Sequence, residues 1–202
     1  GSEYELSGVN YSEGNESNAF LKFQHDRVQE AINELMSAPD KTRMHLQITH
    51  VYHSMDDPQN LRVFERVNQF NECYKLIEDS KMLKIWAKLD LKAAQKAKRS
   101  SAFTTALKCY TIAYEVLSHL EGVKDKLFTA RLGIAECHMI SGDFPSGETI
   151  CTELLDATSD VIQIVEINEL LLVQYTRYGD LSKAVKFGLK SLRLYGVKLN
   201  EA

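Results

Sequence analysis

The chain has 202 residues, of which 44% are hydrophobic and 26% are charged, which excludes a disordered chain and indicates a globular protein with its own core. Ten glycines and three prolines are about half the usual share of these residues, which disfavours a loop-rich or multi-sheet β fold and favours long helices. A net charge of −4 argues against general nucleic-acid binding, and no apolar run approaches the roughly 18 residues of a transmembrane helix.

Residues 1–24 differ in composition from the rest of the chain. The leading Gly1-Ser2, without an initiator Met, is typical of a protease-cleavage scar, so we expect an excised piece of a longer protein. Residues 3–7 alternate polar and apolar side chains, residues 8–18 are rich in Gly, Ser and Asn, and residues 19–24 could form a second strand. The segment is therefore predicted to be a short β-hairpin, with a frayed tail as the alternative.

Residues 25–78 are predicted to hold connecting helices. The first runs over residues 25–37 and stops at Pro39, and the third starts at Asp57-Pro58. The apolar period assigns these residues to the buried faces of the three helices in turn: Val28, Ala31, Ile32 and Leu35; Met44, Ile48, Val51, Tyr52 and Met55; Leu61, Phe64, Val67 and Phe70.

Residues 79–199 are predicted to form six longer helices. Asp79-Ser80 is an N-terminal cap signal, and Gly196 stands where a C-terminal cap glycine would stand. Residues 161–165 are β-branched, but the apolar pattern continues at helical length, so we interpret them as helix. The expected helices span residues 79–99, 101–120, 124–140, 145–157, 160–178 and 181–195.

A short pattern recurs at positions 101, 142 and 179. In each copy a turn leads to an apolar residue, and small residues follow at spacings that put them on one helix face. The three copies are Ser101-Ala102-Phe103 with Ala106, Tyr110 and Ala113; Gly142-Asp143-Phe144 with Gly147, Cys151 and Leu154; and Gly179-Asp180-Leu181 with Ala184, Gly188 and Ser191. This pattern resembles the second helix of tetratricopeptide repeats, in degenerate form. The resemblance implies an all-α fold, an antiparallel helix-pair solenoid over residues 79–199.

A second resemblance covers about residues 19–199. The run FQHDRVQEA at 23–31 resembles the end of the winged-helix part of large signalling ATPases that are fused to sensor histidine kinases, and LKIWAKLDLKAAQKAK at 83–98 resembles that family's next landmark. The resemblance implies a cytoplasmic, non-catalytic scaffold segment of a bacterial or fungal phosphorelay kinase, in which residues 1–24 would be the wing of the winged helix. The partners it implies are other domains of the parent kinase, response-regulator or phosphorelay proteins, and homo- or hetero-oligomers.

No catalytic, cofactor or metal site is predicted. There is no GxxxxGK[ST] phosphate loop and no CxxC, and the four cysteines are expected to be reduced thiols packed as small hydrophobic side chains. His45, His50 and His53 share one predicted helix and could in principle hold a metal, but we interpret them as surface histidines. Two alternatives stay open: a free-standing tetratricopeptide adaptor that binds a partner's peptide tail, and a helical metalloenzyme.

The most distinctive surface feature is a row of cations on the helix predicted at 79–99, which we call the basic stripe. At about 100° per residue its members fall within roughly 120° of arc. They are Lys81, Lys84, Lys88, Lys92, Lys96 and Arg99. Like charges one turn apart repel, so an acidic partner surface would stabilise them, and a solvated face is the alternative. The partner-binding residues predicted from the stripe and from the repeat pattern are Lys84, Lys88, Lys92, Gln95, Lys96, Lys98, Arg99 and Arg177.

Overall fold

The computed structural model of the chain describes residues 9–10, 22–23, 34–55 and 61–197. Its elements in chain order are β1 (Val9–Asn10), β2 (Lys22–Phe23), α1 (Ala38–Ser54), α2 (Val63–Asn71), a 3₁₀ turn (Tyr74–Leu76), α3 (Ser80–Arg99), α4 (Phe103–Ser118), α5 (Lys124–Ile140), α6 (Phe144–Ala157), α7 (Val161–Tyr178) and α8 (Leu181–Leu194). The described part of the chain is almost entirely helical, which confirms the all-α expectation. None of its helices is long and apolar enough to cross a bilayer.

The two strands pair antiparallel, with Val9 opposite Phe23 and Asn10 opposite Lys22. The second strand lies inside the segment predicted as a strand. The first lies in the segment predicted as a loop, while the strand predicted at residues 3–7 falls outside the described residues. The alternation of side chains therefore did not locate the first strand, which needs only two residues to pair.

α1 begins beside Pro39, the residue at which the sequence predicted the end of the preceding helix. Ser37 is the N-cap of α1, and its hydroxyl accepts a hydrogen bond from the Asp40 amide at 3.3 Å. Pro39 occupies the first turn, where its missing N–H costs nothing. Leu35, which was assigned to a buried face, is 87% exposed.

The buried side of α1 agrees with the prediction in part. Met44, Ile48 and Tyr52 are half-buried, and Tyr52 packs against the buried core. Val51 and Met55 are 59% and 44% exposed, whereas Thr49 is fully buried. Nearby, His45 Nδ1 lies 2.7 Å from Gln69 Oε1 of α2. Polar groups thus face the neighbouring helix, and an apolar period could not reveal that side.

In α2 the apolar period was right for Val67 and Phe70, which are buried, and wrong for Leu61, which precedes the helix and is 74% exposed. The expected N-terminus at Asp57-Pro58 lies outside the described residues. Phe70 stacks on Trp86 of α3 with ring centroids 5.4 Å apart, which joins α2 to the longest helix.

The bounds of α3 to α8 follow the predicted ones closely, and local capping signals mark the starts of α3, α6, α7 and α8. The carboxylates of Asp79 and Asp160 accept backbone hydrogen bonds at the starts of α3 and α7. Gly179 ends α7 with φ 90°, and the Asp180 amide then donates to the Tyr175 carbonyl at 3.0 Å. The β-branched start of α7 is helical, as predicted.

Helices α3 to α8 pack mainly on their neighbours in sequence. The most extensive contacts join α3 to α4, α4 to α5, α5 to α6 and α7 to α8, while α6 and α7 touch much less. Turns of a few residues reverse the chain between them. Gly147 of α6 lets that helix approach α5, because a Cβ at this position would overlap Met139 Cγ and lie 2.6 Å from the Ala135 carbonyl oxygen.

Two buried clusters share α5. Ala130 and Cys137 belong to the larger one, which contains the cores of α2, α3 and α4. Ala135 and Met139, on the opposite side of α5, belong to the smaller one with α6, α7 and α8. The fold therefore runs as a row of helices in which α5 is packed on both sides.

Candidate protein-interaction surfaces

A groove of about 340 Å³ is lined by residues of α3, α5 and α7, and we call it the central groove. Two of the predicted site residues, Lys98 and Arg177, lie in it although 79 positions separate them in sequence. Its lining residues are Lys98, Leu132, Glu136, Glu166, Glu169, Leu170, Val173, Gln174 and Arg177. The helix succession thus brings alternate helices to a common surface.

The charge of Lys98 is already compensated inside the central groove. Its Nζ lies 2.5 Å from Glu136 Oε2, with side-chain exposures of 31% and 25%. Glu166, Glu169 and Arg177 are exposed and form no ion pair with another described residue. With three carboxylates and two cations, the central groove is acidic rather than basic.

The basic stripe lies on α3, and most of it faces outward. Lys81, Lys88, Lys92 and Arg99 are exposed, and none of them forms an ion pair with another described residue. Ile85, in the same row, is 51% exposed. The exposed part of the stripe is therefore a row of uncompensated positive charge with one apolar side chain in it.

The remaining predicted residues of α3 border this row. Lys96 is also exposed, and its Nζ lies 5.6 Å from the centroid of the Phe64 ring of α2 in a cation–π contact. Lys84 is half-buried, near the turn at Gly122. Gln95 is exposed and, by helical geometry, lies between the exposed row and Lys98 in the central groove.

Asp90, on the inner side of α3, is fully buried and therefore lies outside both surfaces. The Asn71 side-chain amide donates a hydrogen bond to its Oδ1 at 3.2 Å. Burial raises the pKa of Asp90 well above its usual value, and the hydrogen bonds from Asn71 and Cys109 lower it in part. Asn71 is the last residue of α2, so this hydrogen bond ties the end of α2 to α3.

The three histidines of α1 have different surroundings. His45 is engaged with Gln69, His50 is exposed, and the His53 ring lies 6.4 Å from the Trp86 ring. Among the described residues, no group of three His, Cys, Asp or Glu side chains is placed to hold a metal ion. The metalloenzyme alternative gains no support from their placement.

A second groove of about 770 Å³ was not predicted from the sequence. It opens where α6 and α7 pack loosely, and Arg131 of α5 lies in it. Arg131 donates hydrogen bonds to Glu153 and, at 2.7 Å, to the Tyr114 hydroxyl. Tyr114 and Glu153 lie 17 and 22 positions from Arg131 in sequence, so no local sequence pattern predicts these contacts.

Comparison of the chain with models of protein families, with curated proteins and with solved structures finds no match. The function is therefore argued from the geometry of these surfaces and from the resemblance described above.

Proposed function

We propose that the chain is a non-catalytic protein-interaction scaffold, built as an antiparallel helix-pair solenoid of degenerate tetratricopeptide-like repeats. In this assignment α3, α5 and α7 are the first helices of three pairs, and their residues line the central groove. The second helices α4 and α6 place small residues or Cys at the crossings, where Ala106, Gly147 and Cys151 are buried. Repeat arrays of this kind expose extended surfaces to partners.

The observation that carries this proposal is the exposed row of the basic stripe. Lys88, Lys92 and Arg99 stand one turn or two apart on a helix whose opposite side is packed into the larger cluster. Their mutual repulsion costs a few tenths of a kcal/mol per pair. Attraction to an acidic partner surface would offset this cost. A rigid helix that presents uncompensated charge is suited to docking and has no catalytic chemistry.

The resemblance at residues 23–31 and 83–98 supports placing this scaffold in a cytoplasmic phosphorelay sensor histidine kinase, next to its ATPase module. The partners we propose are other domains of that kinase, its phosphorelay proteins or a second copy of the chain. The basic stripe would then contact an acidic surface of one of these domains.

The test is co-purification of the protein with the separately expressed ATPase and histidine-kinase domains of its parent chain. The Lys88→Glu/Lys92→Glu variant is expected to weaken binding about tenfold, because two surface attractions become repulsions. Lys124→Glu/Lys126→Glu, at the start of α5, makes the same charge change away from the stripe and is the matched control. Equal binding by both variants and the unmodified protein would exclude the stripe from the interface.

A second candidate is an adaptor that captures a peptide tail in the central groove. Glu166 and Glu169 favour a tail with basic residues, because Lys98 is engaged by Glu136 and cannot serve as a free carboxylate clamp. Binding of labelled basic and acidic peptides would decide this, with Glu166→Gln/Glu169→Gln as the variant. Tight binding of the basic peptide that this variant abolishes would favour the adaptor.

A further inference from the structure

Exposed apolar side chains are concentrated at one end of the row of helices. Over residues 80–160, all of which are described, Ile85 is the only large hydrophobic residue that is exposed, whereas nine such residues lie within residues 161–197. Monomeric proteins rarely leave contiguous apolar patches uncovered. The C-terminal end of the row is therefore a distinct surface.

The centre of this surface is a row of side chains on α8. Leu181, Val185 and Leu192 are 62%, 59% and 40% exposed. Their spacing places them within about 40° of arc, and half-buried Leu189 continues the row at its edge. We call these four residues the apolar stripe of α8.

The apolar stripe adjoins the face by which α8 folds onto the protein, because helical geometry places Gly188 about 20° from Leu181. That face carries Ala184, which is 4% exposed, and Phe187, whose ring stacks on Tyr175 of α7 with centroids 5.7 Å apart. Gly188 lies against Leu172 of α7, since a Cβ there would come within 2.8 Å of Leu172 Cδ1. Leu181, Val185 and Leu192 therefore lie beside the packed face, and their exposed parts are left uncovered by the described residues.

The charge beside the apolar stripe has one sign. α8 contains Lys183, Lys186, Lys190 and Arg193 and no acidic residue. Lys186, Lys190 and Arg193 fall about 100° around the helix from the stripe and form a basic row along its edge. Lys183 is held by Asp180 at 3.8 Å, and Lys190 Nζ lies 5.0 Å from the centroid of the Phe187 ring.

The packing of the earlier helices indicates what covers such a face. α5 contacts both α3 and α4, and α7 contacts both α5 and α6. Each earlier helix pair is thus covered by one further helix, and no described helix covers α7 and α8. The apolar stripe is of the length and width that a packed helix buries.

We infer that the apolar stripe of α8 docks an acidic amphipathic helix of a partner protein, with its apolar side on Leu181, Val185 and Leu192 and its carboxylates beside the basic row. A second copy of α8 is disfavoured as the occupant, because two such helices would bring two basic rows together. This surface is distinct from the basic stripe of α3 and from the central groove, so the inference does not depend on the proposed function.

The test uses two synthetic helical peptides of about 20 residues, long enough to hold a helical segment. Both carry leucines on one side, flanked by glutamates in one peptide and by lysines in the other. The acidic peptide is expected to bind at least about tenfold more tightly in fluorescence anisotropy, since only its charges complement the basic row.

Val185→Gln/Leu192→Gln is expected to abolish binding, and Lys186→Glu/Lys190→Glu to weaken it about tenfold. Ile85→Gln on α3 is the matched control and should leave binding unchanged. The five side chains that these variants change are all exposed, so circular dichroism should show intact helices.

Three results would overturn the inference. They are equal affinity for the two peptides, retained binding by the α8 glutamine variant, and a dimer in light scattering that the same variant dissociates. A fourth result would be binding to vesicles of anionic lipid without binding to the acidic peptide. It would assign the surface to a membrane and refute a helical partner.

Discussion

The side-chain amide of Asn71 donates a 3.2 Å hydrogen bond to Asp90 in a site closed to solvent, which joins the end of α2 to the middle of α3. The second carboxylate oxygen of Asp90 has no hydrogen-bond partner among the described residues. Burial raises the pKa of this carboxyl, so its neutral form is favoured in the folded protein. In the unfolded chain the same group has its ordinary pKa.

Asp90→Asn is expected to stabilise the protein at neutral and alkaline pH. Because the folded pKa is raised, the contribution of Asp90 is fully present below its unfolded pKa and is lost as pH rises through the folded pKa. Asparagine needs no proton and places an N–H donor in the site. Urea unfolding at several pH values should therefore show an advantage of the variant that grows as pH rises.

Asp90→Ala is the contrasting change. It leaves the Asn71 amide without its acceptor and should lower the free energy of unfolding by about 1–3 kcal/mol. A variant with asparagine that is no more stable than the alanine variant at about pH 8 would contradict a neutral carboxyl at this site.

Ser101→Gly is expected to stabilise the protein by up to about 1 kcal/mol. Ser101 has φ 58°, a left-handed conformation that costs L-residues roughly 1 kcal/mol and glycine much less. Ser100, with φ −94°, is the matched control, and glycine there should destabilise by about 0.5–1 kcal/mol. Thermal unfolding of both variants measures the difference, and equal losses in the two would refute backbone strain at Ser101.

Gly147→Ala is expected to lower the free energy of unfolding by about 1–3 kcal/mol, because the new methyl would meet Met139 and the rigid Ala135 carbonyl. Gly188→Ala should be close to neutral. Its methyl meets only the mobile tip of Leu172, and alanine recovers about 1 kcal/mol of helix propensity. Chemical denaturation of the pair measures this contrast, and similar effects in both would show that the α5–α6 crossing tolerates a side chain.

The four cysteines are expected to be unreactive in the folded protein. All four are buried and free. Burial raises the pKa of Cys109 to about 12 and of Cys137 to about 11, so little reactive thiolate forms. Ellman's reagent at about pH 8 should titrate no thiol before urea is added and all of them afterwards. Rapid reaction of one thiol in the native protein would reveal an opening of its cluster.

Local signals explain what the sequence predicted well. Asp79 and Asp160 begin helices, and Gly179 ends one, through bonds that reach only a few residues along the chain. The basic stripe was predicted for the same reason, since helical geometry alone places its members on one side. Lys84 departs from the exposed row because it is half-buried beside the turn at Gly122.

Contacts between distant residues explain what the sequence missed. The pair of Lys98 and Glu136 spans 38 positions, and it compensates the charge of Lys98 inside the central groove. The inner side of α1 was predicted only in part, because Thr49, a polar residue, is the one that α1 buries completely. The spacing of hydrophobic residues cannot predict which polar side chain of a helix is buried.

Because α5 contributes to both buried clusters, we expect the packing of the two clusters to be coupled. Met139 touches the cluster of α6 to α8, while Gly133 of the same helix lies against the Tyr110 ring of α4. A small rotation of α5 that relieved one side would compress the other, because a Cβ at Gly133 would already lie 2.5 Å from Tyr110 Cζ. A load on α7 and α8 would thus be felt in the packing around Tyr110, which makes α5 a mechanical link between the C-terminal surface and the helix that carries the basic stripe.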